Sequence, residues 1–285
     1  MLPLRDIVAW KPYAPWSNAQ VEQDLILTRA IVAIFSDKFL ASQVAMRGGT
    51  VLHKIHLAPP ARYSEDIDLV AVGALPRGDI VRSLRRVLEP LLGAPLTDVV
   101  QRLRLAVRNL AKPSEVAQLV WEYAPTEPPP PALKLKVEIN VSEREPVFPL
   151  VTLPYTVALP DGAVTVPVVS YDVNEMLGTK MRALLQRDKA RDLFDLSHAW
   201  ARGQPGAHGG QIQPTEVTRA FSIYMAREGT EVTRERFEND LGRKLSLASF
   251  RADISDVLAP DVNYDVASAA EVVRDVFLVH LPTRR

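Results

Sequence analysis

Nine residues, Leu133 to Val141, alternate without a break: Leu133, Leu135, Val137, Ile139 and Val141 on one side, Lys134, Lys136, Glu138 and Asn140 on the other. A period of two fits a β-strand with one apolar and one polar face. Such a strand persists only where further strands and helices cover its apolar side. Part of this chain must therefore be a sheet whose polar face carries charge.

The rest supplies partners for that strand. Apolar residues at helical spacing (Val21, Leu25, Ile26, Ile31, Ile34, Phe35) predict an amphipathic helix from Asn18 to about Leu40. Strands are expected at Gln43–Arg47, Tyr63–Val72, Asp98–Arg108 and Glu115–Tyr123, with helices at Val51–His56 and Asp79–Leu92. Pro125 to Pro131 reads as a stiff polyproline-like connection. Irregular, proline-rich sequence with a hairpin at Asp161-Gly162 then leads to Ser170, an N-cap for a helix over Val173–Arg187. Helices follow at Arg191–Ala201, Glu216–Arg227, Arg234–Leu241, Ser249–Leu258 and Val266–Leu281, broken by the glycines of Gly203–Gly210. The class is α+β: a sheet-bearing domain over residues 1–169 and a helical one over 170–285, a size that 285 residues with 47% apolar content can fill.

Composition removes several chemistries. With no cysteine there are no disulfides, thiolate metal sites or thiol nucleophiles, which suits a reducing compartment. Arg5, Asp6, Lys11 and the early prolines interrupt any apolar run at the N-terminus, so neither a signal peptide nor a membrane span is expected and the location reads as cytoplasmic. Thirty-four basic residues balance thirty-four acidic ones, so any polyanion must be met by a local patch. Arg82, Arg85 and Arg86, Arg102, Arg104 and Arg108, and Lys134 and Lys136 are the candidates to line an RNA groove, with solvated faces the alternative.

Asp66 and Asp68 flank Ile67 in a strand, so their carboxylates share one face and repel unless a cation sits between them. Magnesium or manganese resolves that conflict and favours phosphate oxygens too. Gly48-Gly49-Thr50 precedes them in a strand, glycine turn, helix order compatible with phosphate. Glu138, on the polar face of the later strand, is a candidate third metal ligand or base. Ser64 either bonds backbone at the strand start or touches metal or phosphate. Lys180 and Arg187 stand two turns apart and could face phosphates from one helix, whereas Arg191 with Asp192 and Asp195 could form a buried brace. His53 and His56 have no acidic neighbour in sequence to complete a zinc site and read as packing residues.

A glycine turn, two carboxylates and a distant third is the layout of the DNA-polymerase-β-like nucleotidyltransferases. Arg47-Gly48-Gly49-Thr50-Val51-Leu52-His53-Lys54 followed by Arg62-Tyr63-Ser64-Glu65-Asp66-Ile67-Asp68-Leu69 resembles the signature of the AbiEii/AbiGii nucleotidyltransferase toxins, the MenT-like family. Lys180-Met181-Arg182-Ala183-Leu184 and the run Arg187 to Leu196 resemble its later lysine and arginine–aspartate motifs. The resemblance implies a toxin of a toxin–antitoxin or phage-defence pair that transfers nucleotides from a nucleoside triphosphate (NTP) to RNA, at the tRNA 3′ end. It implies a cognate antitoxin, a metal on Asp66 and Asp68 with Glu138, and nucleotide contacts at Arg47, Gly48, Gly49, Thr50, Ser64, Lys180 and Arg187. The catalytic set then comprises Asp66, Asp68, Glu138, Lys180, Asp192 and Asp195, although Asp188 also shares that helix face. Lys180→Ala is expected to impair nucleotide kinetics while leaving the melting temperature nearly unchanged. Transfer to a protein hydroxyl, a metal-dependent glycosyltransferase using the D-x-D, and a non-enzymatic binding module are the competing readings.

Overall fold

The computed structural model describes residues 4–11, 16–92, 97–103, 114–123, 125–126, 133–202 and 211–283. The chain divides into two compact units, one running through Leu103 and taking in Ser114–Pro146 and Leu150–Tyr171, the other holding Val147–Pro149 and the chain from Asp172 on.

The first unit is built on a seven-stranded mixed sheet: β1 (Val44–Arg47), β2 (Asp66–Ala71), β3 (Thr97–Leu103), β4 (Ser114–Tyr123), β5 (Leu133–Asn140), β6 (Val151–Leu159) and β7 (Gly162–Ser170). They lie in the order β3-β4-β5-β2-β1-β7-β6. β2 and β5 pair in parallel, as do β1 and β7, and the other pairs are antiparallel. The alternation of β5 is realised, with Leu135, Val137 and Ile139 fully buried. The rest of the strand expected at Asp98–Arg108, past Leu103, most of the proline segment, and the Gly203–Gly210 break lie outside the described residues.

Helix α1 (Leu4–Trp10) packs on α2 (Asn18–Ser36), and the Trp10 indole N–H donates to the buried Asp24 at 2.8 Å. Ser17 opens α2 with a capping box to Gln20. The helix expected to reach Leu40 instead stops at Asp37, whose carboxylate caps a separate helix α3 (Lys38–Gln43) by accepting from the Leu40 amide. α2 packs against β5 and β7, and its Leu25, Ile31, Ile34 and Phe35 are buried. α4 (Gly48–Val51) runs directly into a π-helical turn at Leu52–His56, and α5 (Arg77–Leu92) packs against α2.

The stretch read as irregular is a long hairpin, β6 and β7, around the expected Asp161-Gly162 turn. Its alternation is obscured by Pro154 and Pro167, which are directly opposed on the exposed face. Opposed prolines fit non-hydrogen-bonded positions of a ladder, where neither nitrogen points at the partner strand. Ser170 is a second correction: it ends β7 and bonds to His56 and the Met46 carbonyl. The helix N-cap is Asp172, which accepts from the Asn174 amide.

The second unit is helical: α6 (Val173–Gln186), α7 (Ala190–Arg202), α8 (Pro214–Arg227), α9 (Arg234–Ser246), α10 (Ala248–Ala252) and α11 (Val266–Val272), followed by a π turn at Val273–Phe277 and a short 3₁₀ turn. The helix expected over Ser249–Leu258 is shorter, and that over Val266–Leu281 changes pitch. Buried polar groups fix the ends of α6. Glu175 accepts from the amides of Val147 and Phe148 and from the Tyr224 hydroxyl, while Lys244 donates to the Leu184 and Leu185 carbonyls at the other end. Among the described residues no helix is long and apolar enough to cross a membrane.

α6 and α8 approach closely at Gly178, where a Cβ would come within 2.8 Å of both the Ala220 methyl and the Val217 carbonyl. Gly178→Ala should therefore cost about 1–3 kcal/mol through overpacking. Urea unfolding measures this, and an unchanged midpoint would show that the helices part freely.

Candidate active site

The site is organised by strand register. Asp68 of β2 lies opposite Arg47 of β1 on one side and Glu138 of β5 on the other, and Glu138 lies opposite Gln118 of β4. Cross-strand partners share a face, so Gln118, Glu138, Asp68 and Arg47 form one polar row across four strands. One row along, Asp66 lies opposite Lys136. The three acids expected to act together thus stand on adjacent strands of one face.

Their contacts differ. The Lys136 ammonium lies 2.8 Å from Asp66 and 3.3 Å from Glu138. Glu138 also accepts from the Gln118 amide at 2.7 Å. Burial pushes the Asp66 carboxyl up to about 6, an effect that Lys136 opposes and the Asp68 and Glu138 charges reinforce. Lys136 itself is held above its ordinary value: burial works against its charge, and its acidic partners outweigh that. Arg47 pairs with Glu143 at 2.6 Å, and Glu143 is positioned by its own amide donating to Asn140 at the end of β5.

The two glycines below the acids are explained by different neighbours. Gly48 has φ +85°, a left-handed conformation, and a Cβ there would overlap the Asp68 carboxylate. A Cβ on Gly49 would overlap the guanidinium of buried Arg62 and press on the Ser64 hydroxyl. The glycine turn is thus the opening of α4 itself. Thr50 is fully buried, its hydroxyl 2.5 Å from the Asp66 carbonyl and 2.8 Å from Ser64. A carbonyl only accepts, so when Thr50 donates to it Ser64 must supply the proton of their shared contact. Thr50 and Ser64 therefore tie α4 to the start of β2 beneath Asp66.

Sequence reasoning missed Arg62, Lys136 and Gln118 as parts of the site. Lys136 and Gln118 are the same-face neighbours of recognised acids, so register knowledge would have found them; nothing in the sequence marked Arg62 as buried.

In the helical unit, Lys180 is buried and its ammonium lies 2.7 Å from Asp195 and 3.3 Å from Asp192, both without exposure to solvent. Arg187, at the end of α6, grips Asp192 with two hydrogen bonds of 2.7 and 2.8 Å. The expected brace exists with other cations: Arg191 pairs with Asp253, and Asp188 pairs at the surface with Arg243. His56 is buried, its Nε2 3.0 Å from Ser170, and burial lowers it to about 4, in keeping with a packing role. The described cations of the expected groove have acidic neighbours: Arg82 pairs with Asp79, Arg85 with Glu89, Arg86 with Asp37, and Lys134 stands 4.0 Å from Glu122. Arg104 and Arg108, and the side chain of Arg102, lie outside what is described.

Among the described residues no three His, Asp or Glu side chains are grouped to cage a metal ion. The donor set nevertheless suits a hard divalent cation: Asp66 and Asp68 share a face, and a lysine ammonium already occupies the cationic position between Asp66 and Glu138.

A mixed sheet carrying an acid pair on a central strand, beside a glycine-opened helix, has a nucleotidyltransferase fold. The family described as "Nucleotidyl transferase AbiEii toxin, Type IV TA system" matches residues 29–272, and the chain belongs to it. The solved structure of MenT4, a nucleotidyltransferase toxin of Mycobacterium tuberculosis H37Rv, is similar over 99% of this chain and 91% of its own, with a TM-score of 0.62 at 18% identity. That likeness is one of fold. An antigenic nucleotidyltransferase-like protein of Paracoccidioides brasiliensis matches at 17% identity over 81% of this chain and 94% of its own, with a TM-score of 0.36. No curated protein matches the chain.

Both sets of contacts can be tested by stability. Lys180→Ala takes a buried ammonium away from buried Asp192 and Asp195, so it should cost about 3–5 kcal/mol, against the sequence expectation of an unchanged melting temperature. A melting temperature at the wild-type value would return Lys180 to a surface role. Asp66 keeps its proton to about 6 in the fold, against 3.8 in its ordinary state. The metal-free protein should lose stability as pH rises through that window, and a divalent cation must compete with the proton below it. Manganese should raise the melting temperature more at about pH 7.5 than at about pH 5, and Asp66→Asn should remove the difference. Equal shifts at both pH values would detach Asp66 from the metal.

Proposed function

We propose that the sheet unit transfers a nucleotide from an NTP to the 3′ end of an RNA acceptor, tRNA being the class the family resemblance implies. The observation that supports it most is the same-face placement of Asp66 and Asp68 with the glycine-opened α4 packed against Asp68. Asp66 and Asp68, with Glu138 beside them, would hold magnesium or manganese. The ion supplies positive charge that lowers the cost of charge developing on the phosphates. The acceptor hydroxyl oxygen bonds to the α-phosphorus, the bond to the pyrophosphate oxygen breaks, and the hydroxyl proton passes to a carboxylate or to solvent.

The chain's own residues contribute positioning. Gly48 brings backbone against Asp68, Arg62 lies buried against Gly49, and the Thr50–Ser64 contact fixes α4 to β2. The Arg47–Glu143 pair holds the end of β1 next to Asp68. In this reading Lys180, Asp192, Asp195 and Arg187 keep the helical unit rigid. A cognate antitoxin accompanies a toxin of this family, and its mode of neutralisation is a separate question from the chemistry.

Asp66→Ala and Asp68→Ala should each abolish label transfer from radiolabelled NTP to total RNA, with circular dichroism unchanged. Near-wild-type transfer by either folded variant would overturn the assignment. Label appearing in protein and not in RNA would redirect the acceptor to a protein hydroxyl.

A further inference from the structure

We infer that Lys136 is a displaceable counter-ion of the acid cluster: its ammonium competes with a divalent cation for the oxygens of Asp66 and Glu138, and metal binding frees it to neutralise the incoming polyphosphate. This deepens the nucleotidyltransferase reading and rests on it.

The geometry is specific to the strand pairing. Lys136 lies opposite Asp66 across the β2–β5 ladder and two residues before Glu138 on its own strand, so one side chain reaches a carboxylate on each strand. The other lysine on the polar face of β5, Lys134, stands by Glu122 instead. Asp66 and Glu138 therefore share a lysine built into the sheet, and Asp68, in the same row as Glu138, is packed against Gly48.

An ammonium and a dication cannot sit on the same carboxylate oxygens without strong repulsion. Metal entry and the Lys136 ion pairs thus oppose each other, and by linkage each weakens the other. Lysine suits the task. It is a point charge on a flexible stem, with no planar fork to lock it to one carboxylate. Its side chain is 31% exposed, so it can swing into solvent or onto a phosphate with no rearrangement of core packing.

The test measures manganese binding directly, by titration calorimetry with manganese alone on the full chain. Lys136→Met should bind manganese about tenfold tighter than wild type, the scale expected for removing one competing charge at a partly buried site. Lys136→Arg, which keeps the charge, should bind no tighter than wild type, and Lys134→Met should match wild type. The Met variant should also show a raised KM for NTP. Wild-type or weaker manganese affinity in Lys136→Met would overturn the inference. Should that variant fail to fold, amine acetylation of the wild-type protein read by mass spectrometry decides the same question: manganese should increase labelling at Lys136, and equal or reduced labelling overturns the proposal. If wild type binds manganese no better than Asp66→Asn and Asp68→Asn, the metal-site reading itself falls. Failure of the inference alone leaves that difference intact.

Discussion

Three carboxylates share one face of the sheet, and their repulsion has to be met within the strand register that fixes them there. Asp66, Asp68 and Glu138 could be relieved by moving apart, by protonation, or by a cation. Moving apart is forbidden, because β1, β2, β4 and β5 are locked in register by their apolar faces: Val137, Ile139, Ile67 and Leu69 are buried and leave no slack. What remains is charge compensation. Lys136 supplies it to Asp66 and Glu138, Gln118 donates to Glu138, and burial, reinforced by the Asp68 and Glu138 charges, raises the affinity of Asp66 for its proton. An added cation would lower the repulsion that remains among these acids.

The helical unit settles buried charge by the opposite means. Lys180 and Arg187 balance Asp192 and Asp195 at short distance, Lys180 and both acids being buried and Arg187 half-exposed, and Asp192 accepts from both cations. Here the network is closed among the side chains, as buried ionic groups must be to avoid a large desolvation cost. The contrast separates two kinds of acid that look alike in the sequence. Asp192 and Asp195 have their counter-charges in place on the adjoining helix α6 and at its C-terminal cap, whereas Asp66 is paired with one lysine that also serves Glu138.

That contrast marks what could be read from residues alone. The polar face of β5, the shared face of Asp66 and Asp68, and the glycine turn were legible because each follows from a local period or a local conformational need. The Asp161-Gly162 hairpin was legible for the same reason, but the length of its strands was not, since Pro154 and Pro167 read as breakers until the ladder sets them opposite each other. Ser170 had the composition of a cap, and only the chain's path shows that Asp172 occupies that place. The burial of Lys180 lay furthest from the sequence. A lysine two turns from an arginine reads as a phosphate-facing pair, and burial against Asp195 is a tertiary fact with no signature in spacing.

The two glycines of the family signature carry a double meaning on these grounds. A glycine pair before a helix is usually taken as room for phosphate. Here each glycine is already required by the protein's own side chains: Gly48 by the Asp68 carboxylate and by its left-handed φ, Gly49 by the Arg62 guanidinium. The motif and the acid pair are therefore parts of one packed object. Arg62, Ser64, Asp66 and Asp68 all come from the segment that enters and forms β2, and all but Asp66 touch the Gly48-Gly49-Thr50 opening by side chain, while Asp66 does so through its carbonyl. A side chain on Gly48 would collide with Asp68 and one on Gly49 with Arg62, which is why the pair of motifs is more informative than a D-x-D and a glycine turn taken separately.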